Sequence, residues 1–173
     1  MTALEAEDGV SPAAAQQLKI IAFAMGGGLT LMAGLIFWSY LNAAAKRPTP
    51  NEVQSINTLT TVVMVAALLA IVASEVVWRV IVRKTPGALS ARVSTAYIAR
   101  LACREGAGLF GMTVAYIAAL NGVLRAYPAY WVNLAPFVLF LLFLATHWPS
   151  AETLTAEASE VFSTDLAPPA LDL

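Results

Sequence analysis

A chain of 173 residues with 59% hydrophobic and only 12% charged residues is too apolar for an ordinary soluble domain, in which about 25% of residues are charged. We therefore expect a membrane protein. The net charge of −1 gives no whole-chain electrostatic reason to expect nucleic-acid binding. The one cysteine, Cys103, excludes an internal disulfide and a cysteine-based metal site.

Four apolar runs, each about 20 residues long, predict helices that cross the hydrocarbon core of a bilayer. They cover residues 20–41, 58–78, 106–124 and 130–148. Backbone groups in lipid must be hydrogen-bonded within the segment, and no strand-like alternation suggests a barrel, so the predicted class is all-α. We expect a four-helix transmembrane bundle over residues 1–148, whose first span is an uncleaved anchor behind an acidic leader, and an acidic tail over 149–173.

Helix-capping signals extend several of these helices beyond the bilayer. Ser11-Pro12 and Thr49-Pro50 predict the starts of the first two helices, because each pairs an N-cap residue with proline at the first helical position. Ser90 is the predicted cap of the third helix. A helix from 90 to 124 is about 52 Å long at 1.5 Å per residue, so about a third of it would lie outside the membrane. Pro136 predicts a bend in the fourth helix.

The distribution of positive charge predicts the orientation. An even number of spans puts both termini and the segment 79–105 on one side, and that side has seven Lys or Arg residues against three on the other. The positive-inside rule makes the richer side cytoplasmic, so both termini and long extensions of helices two and three are expected in the cytoplasm. This pattern indicates a multi-pass protein of the bacterial inner membrane.

Small residues recur on single faces of the first and third helices. In membranes, small residues let two helix backbones approach closely, and this packing drives association. We expect the stripes to pack inside the bundle; the alternative is that they partly bind another subunit. The predicted packing residues are Gly26 and Gly34 in the first helix, and Gly108, Gly111, Ala115 and Gly122 in the third.

Charged residues at the boundary of the third span form the second candidate feature. On a helical wheel Arg92, Arg100 and Arg104 cover one arc, and Glu105 falls on the opposite, apolar side. The predicted basic arc faces the cytoplasm, whereas Glu105 faces packed helices. A carboxylate at membrane depth is costly unless it is paired or protonated.

Glu75 lies about one turn inside the inner end of the second span, with Arg79 at the favourable i+4 position. We expect Glu75, Arg79, Arg104 and Glu105 to form a partly buried ion-pair clamp between helices two and three. Two alternatives stay open: a protonatable site at the mouth of a proton or ion route, or carboxylates that reach out to water.

The segment with Glu105, Gly111, Met112 and Ala115 resembles the carboxylate-bearing helix of ATP synthase c subunits and related proteolipids. That resemblance covers about a dozen residues and implies proton translocation. The run CREGAGLFG, which matches [AC]-x-E-[GA]-x-x-[LI]-x-G, is also similar to a segment of uncharacterised bacterial four-span membrane proteins, and this similarity implies no activity.

The tail after Pro149 contains five acidic residues and no Lys or Arg. Ser150 is a candidate cap for a short amphipathic helix. The tail could dock on the segment 79–105, which has six basic residues and one acidic residue, or on a basic partner, or it could be solvated and disordered.

No combination of residues suggests catalysis. One histidine, His147, cannot build a metal site alone, and no nucleophile has a candidate base. We expect no cofactor and no enzymatic activity. The predicted function is a subunit or assembly factor of a membrane complex, with a membrane protein or a second copy as its partner in the lipid bilayer. The alternative is proton or ion translocation through Glu105 and Glu75.

Overall fold

The computed structural model describes residues 9–42 and 47–163. Within those ranges the chain is all-helical and contains no β-strand, which confirms the predicted class. The predicted leader and the end of the predicted tail lie outside the described residues. The helices are α1 (Pro12–Asn42), α2 (Pro50–Lys84), α3 (Leu89–Leu120), α4 (Val123–Ala126), a 3₁₀ helix (Pro128–Leu134), α5 (Ala135–Thr146) and α6 (Ala151–Ser163).

Three helical segments are long and apolar enough to cross a membrane, namely α1, α2 and the stretch Pro128–Thr146. These segments indicate an integral membrane protein. The third predicted span, 106–124, is not among them. Its helix, α3, ends at Leu120, so only residues 106–120 lie between the charged pair Arg104 and Glu105 and the end of the helix, and many of them are glycine or alanine.

Side chains cap α1, α2 and α6 as the sequence predicts. The Thr49 hydroxyl accepts a hydrogen bond from the Glu52 backbone, and the Glu52 carboxylate accepts one from the Thr49 backbone N–H at 2.7 Å, which is a capping box. The Ser11 and Ser150 hydroxyls cap α1 and α6 by accepting hydrogen bonds from the backbone N–H groups of Ala14 and Thr153. The prediction for Ser90 is wrong, because α3 begins at Leu89 behind Ala88, which makes no side-chain cap.

The third helix ends earlier than predicted. It stops at Leu120, and Gly122 adopts a φ of 73°, a left-handed conformation that glycine accepts without strain, before the single turn of α4. Gly122 is therefore the turn after α3 and lies outside the helical stripe to which the sequence assigned it. Pro136 lies in the first turn of α5, where the 3₁₀ helix changes to an α-helix, because proline needs no hydrogen bond to its nitrogen there.

Helix α3 occupies the centre of the molecule. It packs most extensively against α2, and also against α1, α5 and the 3₁₀ helix. Its buried side chains include Tyr97, Leu101 and Met112. The outer faces of α1, α2 and α5 expose many large apolar side chains, among them Leu31, which is 79% exposed. Such a surface is suited to lipid rather than to water.

Helix α6 folds back along the end of the molecule where α2 and α3 meet. It packs against α1 and α2 and buries Leu154, Ala158 and Val161. The backbone N–H of Val10 donates a hydrogen bond to the Thr155 hydroxyl at 3.0 Å. The segment before α1 and the last described helix are therefore in contact.

Candidate functional site

Four charged side chains from three helices meet where α6 contacts the rest of the molecule. They are Glu75 from α2, Arg100 and Arg104 from α3, and Glu157 from α6, and we call them the Glu75 cluster. Arg100 and Arg104 are one helical turn apart, so both side chains leave the same face of α3. That face packs against α2, which brings both guanidinium groups to Glu75.

Arg100 is the central member of the cluster and is only 6% exposed. Its Nε and Nη2 atoms donate to Glu75 Oε1 at 3.0 and 2.9 Å, and Nη2 also donates to Oε2 at 2.7 Å. Its Nη1 atom donates to Glu157 Oε2 at 2.8 Å. A planar guanidinium can engage a carboxylate through two donors at once, which makes the contact both strong and directional. Arg100 therefore joins α2, α3 and α6.

Arg104 completes the hydrogen bonding of Glu75. Its Nη2 atom donates to Glu75 Oε1 at 2.6 Å, and its Nε atom donates to the Ser74 hydroxyl at 3.1 Å. Glu75 thus accepts four hydrogen bonds from two guanidinium groups. The two positive and two negative charges of the cluster balance, which removes most of the cost of holding charge away from water.

Aromatic rings from α2 and α5 pack on the arginines of the cluster. The Phe143 ring lies 4.7 Å from the guanidinium carbon of Arg100 and 4.1 Å from that of Arg104, and the Trp78 ring lies 5.4 Å from that of Arg100. These are cation-π contacts, which gain strength where water is excluded. His147 stacks on Phe143 at 4.6 Å. The rings therefore pack directly on the two arginines of the cluster.

The Tyr97 hydroxyl, buried beside the cluster, donates a hydrogen bond to the His147 backbone carbonyl at 2.7 Å. Burial, together with the negative charge of Glu157, raises the pKa of the Tyr97 phenol well above its ordinary value. The phenol therefore stays neutral and acts as a hydrogen-bond donor. It ties α3 to the segment that follows α5.

The docking of the tail on the basic segment is confirmed for α6. Besides the Arg100–Glu157 ion pair, Arg83 Nη2 donates to the Val161 carbonyl at 2.8 Å, and the Arg92 guanidinium lies 5.8 Å from the Phe162 ring. An arginine on a carbonyl of the last helical turn also complements the helix dipole. The alternative of a solvated, disordered tail does not hold for these residues, and 164–173 lie outside the described residues.

The structure brings together two of the four predicted cluster residues, Glu75 and Arg104. Arg79 is exposed, and Glu105 is half-buried and forms no ion pair within the described residues. Glu105 leaves α3 about 100° away from Arg104. The predicted direction of Arg104 is therefore wrong, since its side chain points to the helix interface, and Glu105 points away from the cluster.

Arg100 and Glu157 are the two cluster residues that the sequence prediction missed. The helical wheel assigned the arginine arc to water because charge usually marks the solvated face. An arginine pair at i and i+4 facing a single carboxylate in the neighbouring span was the signal that could have identified Arg100. Glu157 could be placed only once the position of α6 was known.

Three of the predicted packing glycines contact other helices. A Cβ atom on Gly111 would collide with the backbone oxygen of Asn133, and one on Gly108 would lie 3.6 Å from the Phe137 Cα atom. A Cβ atom on Gly26 would approach a Leu144 methyl group to 3.0 Å. Ala115 is fully buried. Gly34, by contrast, is exposed, and no atom lies within 4 Å of the position of its missing Cβ.

No protein-family model, curated protein or solved structure matches this chain.

A polar cavity of about 230 Å³ borders the Glu75 cluster on the α6 side. Arg79, Arg83 and Glu160 line it together with members of the cluster. In the part of the chain that the structure describes, no group of three His, Cys, Asp or Glu residues could hold a metal ion. The described residues form ion pairs that hold α2, α3 and α6 together.

Proposed function

We propose that this chain is a non-enzymatic integral membrane protein that acts as a subunit or assembly factor of a larger membrane complex. The observation that carries the proposal is one outward face of α1, where Gly27 and Gly34 lie two turns apart and a Cβ atom on either would have no neighbouring atom within 4 Å. Each glycine in a helix interior costs about 1 kcal/mol relative to alanine. A second helix that packs closely on this face would offset that cost.

The Glu75 cluster supports a structural role. A catalytic or proton-transferring carboxylate needs a free lone pair or a titrating neighbour, whereas Glu75 accepts four hydrogen bonds from Arg100 and Arg104. We interpret the cluster as a clamp that holds α2, α3 and α6 in one arrangement. A fixed helix arrangement keeps the outer surface, including the face of α1, in one conformation for a partner to bind.

We also propose that α3 crosses the membrane as well, which gives four spans, and that both termini are cytoplasmic, in a bacterial inner membrane. Exposed Leu109, Phe110 and Leu120 on α3 are suited to lipid. The hydrogen bond between Val10 and Thr155 supports an even number of spans, because these residues lie near the two ends of the described chain and are in contact. The excess of Lys and Arg on that side supports the cytoplasmic assignment.

Purification in a mild detergent tests the proposed partner. We expect the wild-type chain to elute with a stable companion, either a second copy or another membrane protein, identified by native mass spectrometry. Gly34→Leu should abolish that association and leave helix content and thermal stability unchanged, because the site has open space. Ala73→Leu on the exposed face of α2 is the matched control. A wild-type monomer without a companion would overturn the proposal.

Proton or ion translocation through Glu105 and Glu75 is the alternative, motivated by the local resemblance to c subunits. Translocation requires both carboxylates to line the same proton or ion pathway. Glu75 instead forms ion pairs with Arg100 and Arg104, and Glu105 points in another direction, which favours a structural clamp. Flux into proteoliposomes distinguishes the two functions. Translocation predicts flux that Glu105→Gln and Glu75→Gln each abolish, and the clamp predicts no flux above that of empty vesicles.

A further inference from the structure

A groove of about 480 Å³ runs between α2 and α5 beside the Glu75 cluster. One end is polar and is formed by Arg100, Arg104, Glu75 and His147. The walls are apolar and consist of Ile71 from α2, and of Leu139, Leu142 and Phe143 from α5. Leu139 and Leu142 are 47% and 56% exposed. The groove is therefore continuous with the apolar outer surface.

The polar end of the groove has an excess of positive charge. Two arginines and one glutamate line it, whereas Glu157, which completes the cluster, lies on the far side of Arg100 and lines the other cavity. Glu75 is already bound by both guanidinium groups. The Nε and Nη2 atoms of Arg104 donate hydrogen bonds to Ser74 and Glu75. Its Nη1 atom donates none to any described residue, so it is available to a ligand. An anionic oxygen fits this end.

The depth of the groove suits a lipid. Its charged end lies within one turn of Trp78, at the boundary where aromatic side chains and lipid headgroups meet. Its apolar walls extend from that end into the part of α2 and α5 that exposes leucine and valine side chains. A free anion would use only the arginines, whereas an amphiphile with a charged head and a hydrocarbon chain would use both parts of the groove.

We propose that this groove binds one anionic phospholipid from the leaflet on the side of the termini. Its phosphate accepts hydrogen bonds from Arg104, and one acyl chain packs along Ile71, Leu139 and Leu142. This site is independent of the partner proposed for α1, because it lies between α2 and α5. Its occupant would fill the space between the two helices and support their spacing around α3.

Native mass spectrometry and thermal unfolding in a neutral detergent test the site. We expect one phosphatidylglycerol molecule to be retained per chain, and phosphatidylglycerol to raise the unfolding temperature. Equal amounts of phosphatidylcholine or inorganic phosphate should not do so. An equal response to phosphatidylcholine would overturn the charge recognition, and an equal response to inorganic phosphate would overturn the lipid assignment.

Variants locate the binding. Arg104→Gln should weaken phosphatidylglycerol binding about fivefold to tenfold, since one nearby basic residue is worth about that much for an anionic lipid. Leu139→Trp should abolish the retention of phosphatidylglycerol, because the larger side chain fills the groove. This variant leaves every residue of the Glu75 cluster in place. Lys84→Gln, an exposed basic residue outside the groove, is the matched control and should bind normally. Unchanged binding by Leu139→Trp, or an equal loss in Lys84→Gln, would refute the site.

Discussion

Replacement of Arg100 by leucine tests the idea that the Glu75 cluster holds three helices together. Leucine keeps much of the apolar volume and the helix propensity of arginine, so the substitution removes mainly charge and hydrogen bonds. It deletes three hydrogen bonds to Glu75 and the one to Glu157. Glu157 loses its ion pair, and Glu75 retains only the contact with Arg104.

The expected loss is about 3 kcal/mol of unfolding free energy. Removal of one partner from a buried ion pair costs about 3–5 kcal/mol, because the remaining charge stays away from water. The Glu75 and Glu157 side chains are 38% and 19% exposed, so water screens part of both charges. The contact that Arg104 keeps with Glu75 lowers the loss further. These two effects place the expected value at the lower end of the range.

Equilibrium unfolding in mixed micelles, followed by circular dichroism, measures the loss. Arg79→Leu is the matched control, since this arginine is exposed on α2 and should change the free energy of unfolding by no more than about 0.5 kcal/mol. Glu75→Gln combined with Arg100→Leu should cost less than the sum of the two single changes, because the residues interact directly. Equal effects of Arg100→Leu and Arg79→Leu would refute the clamp.

Three further outcomes are expected. Truncation after Ser150 removes α6 and should make the basic segment more sensitive to trypsin, and unchanged cleavage would contradict the docking of α6 there. Gly111→Ala should destabilise the fold by about 1–3 kcal/mol because its Cβ would collide with the Asn133 backbone, whereas Gly34→Ala should be neutral or stabilising. Comparable losses in both glycine variants, measured by thermal unfolding, would contradict this packing. The pKa of Tyr97 is raised in the folded state, so the phenol contributes its full stabilisation below about pH 10, the pKa of a free phenol. That stabilisation is lost as the pH rises above this value. Tyr97→Phe should therefore make the free energy of unfolding less dependent on pH above about pH 10.

Local signals located the helix starts better than the helix faces. Thr49-Pro50 and Ser11-Pro12 marked helix starts because a cap depends on residues within one turn. The end of α3 was missed because Gly122 is compatible both with a packing stripe and with a left-handed turn, and only the backbone conformation distinguishes the two.

The candidate site was only partly predictable, because local signals identify charged residues in apolar runs but do not show which of them meet. Glu75 is conspicuous as a carboxylate in an apolar run, and Arg104 as a charge at the mouth of another. Which arginine approaches Glu75 depends on the rotation of α3 about its axis. The wheel assigned Arg100 and Arg104 to water, but their stems and guanidinium groups pack against Phe143 while their donors reach the carboxylate.

The sequence by itself determined the helical class, three of the apolar segments and three of the helix caps, because the length of an apolar run and the chemistry of a cap are local properties. Only the tertiary structure decided that α3 is central, that α6 returns to it, and that Arg100 joins Glu75 to Glu157. A buried charge is stable only beside its partner. Partners that lie 25 and 57 residues away in the chain meet only after the helices have packed.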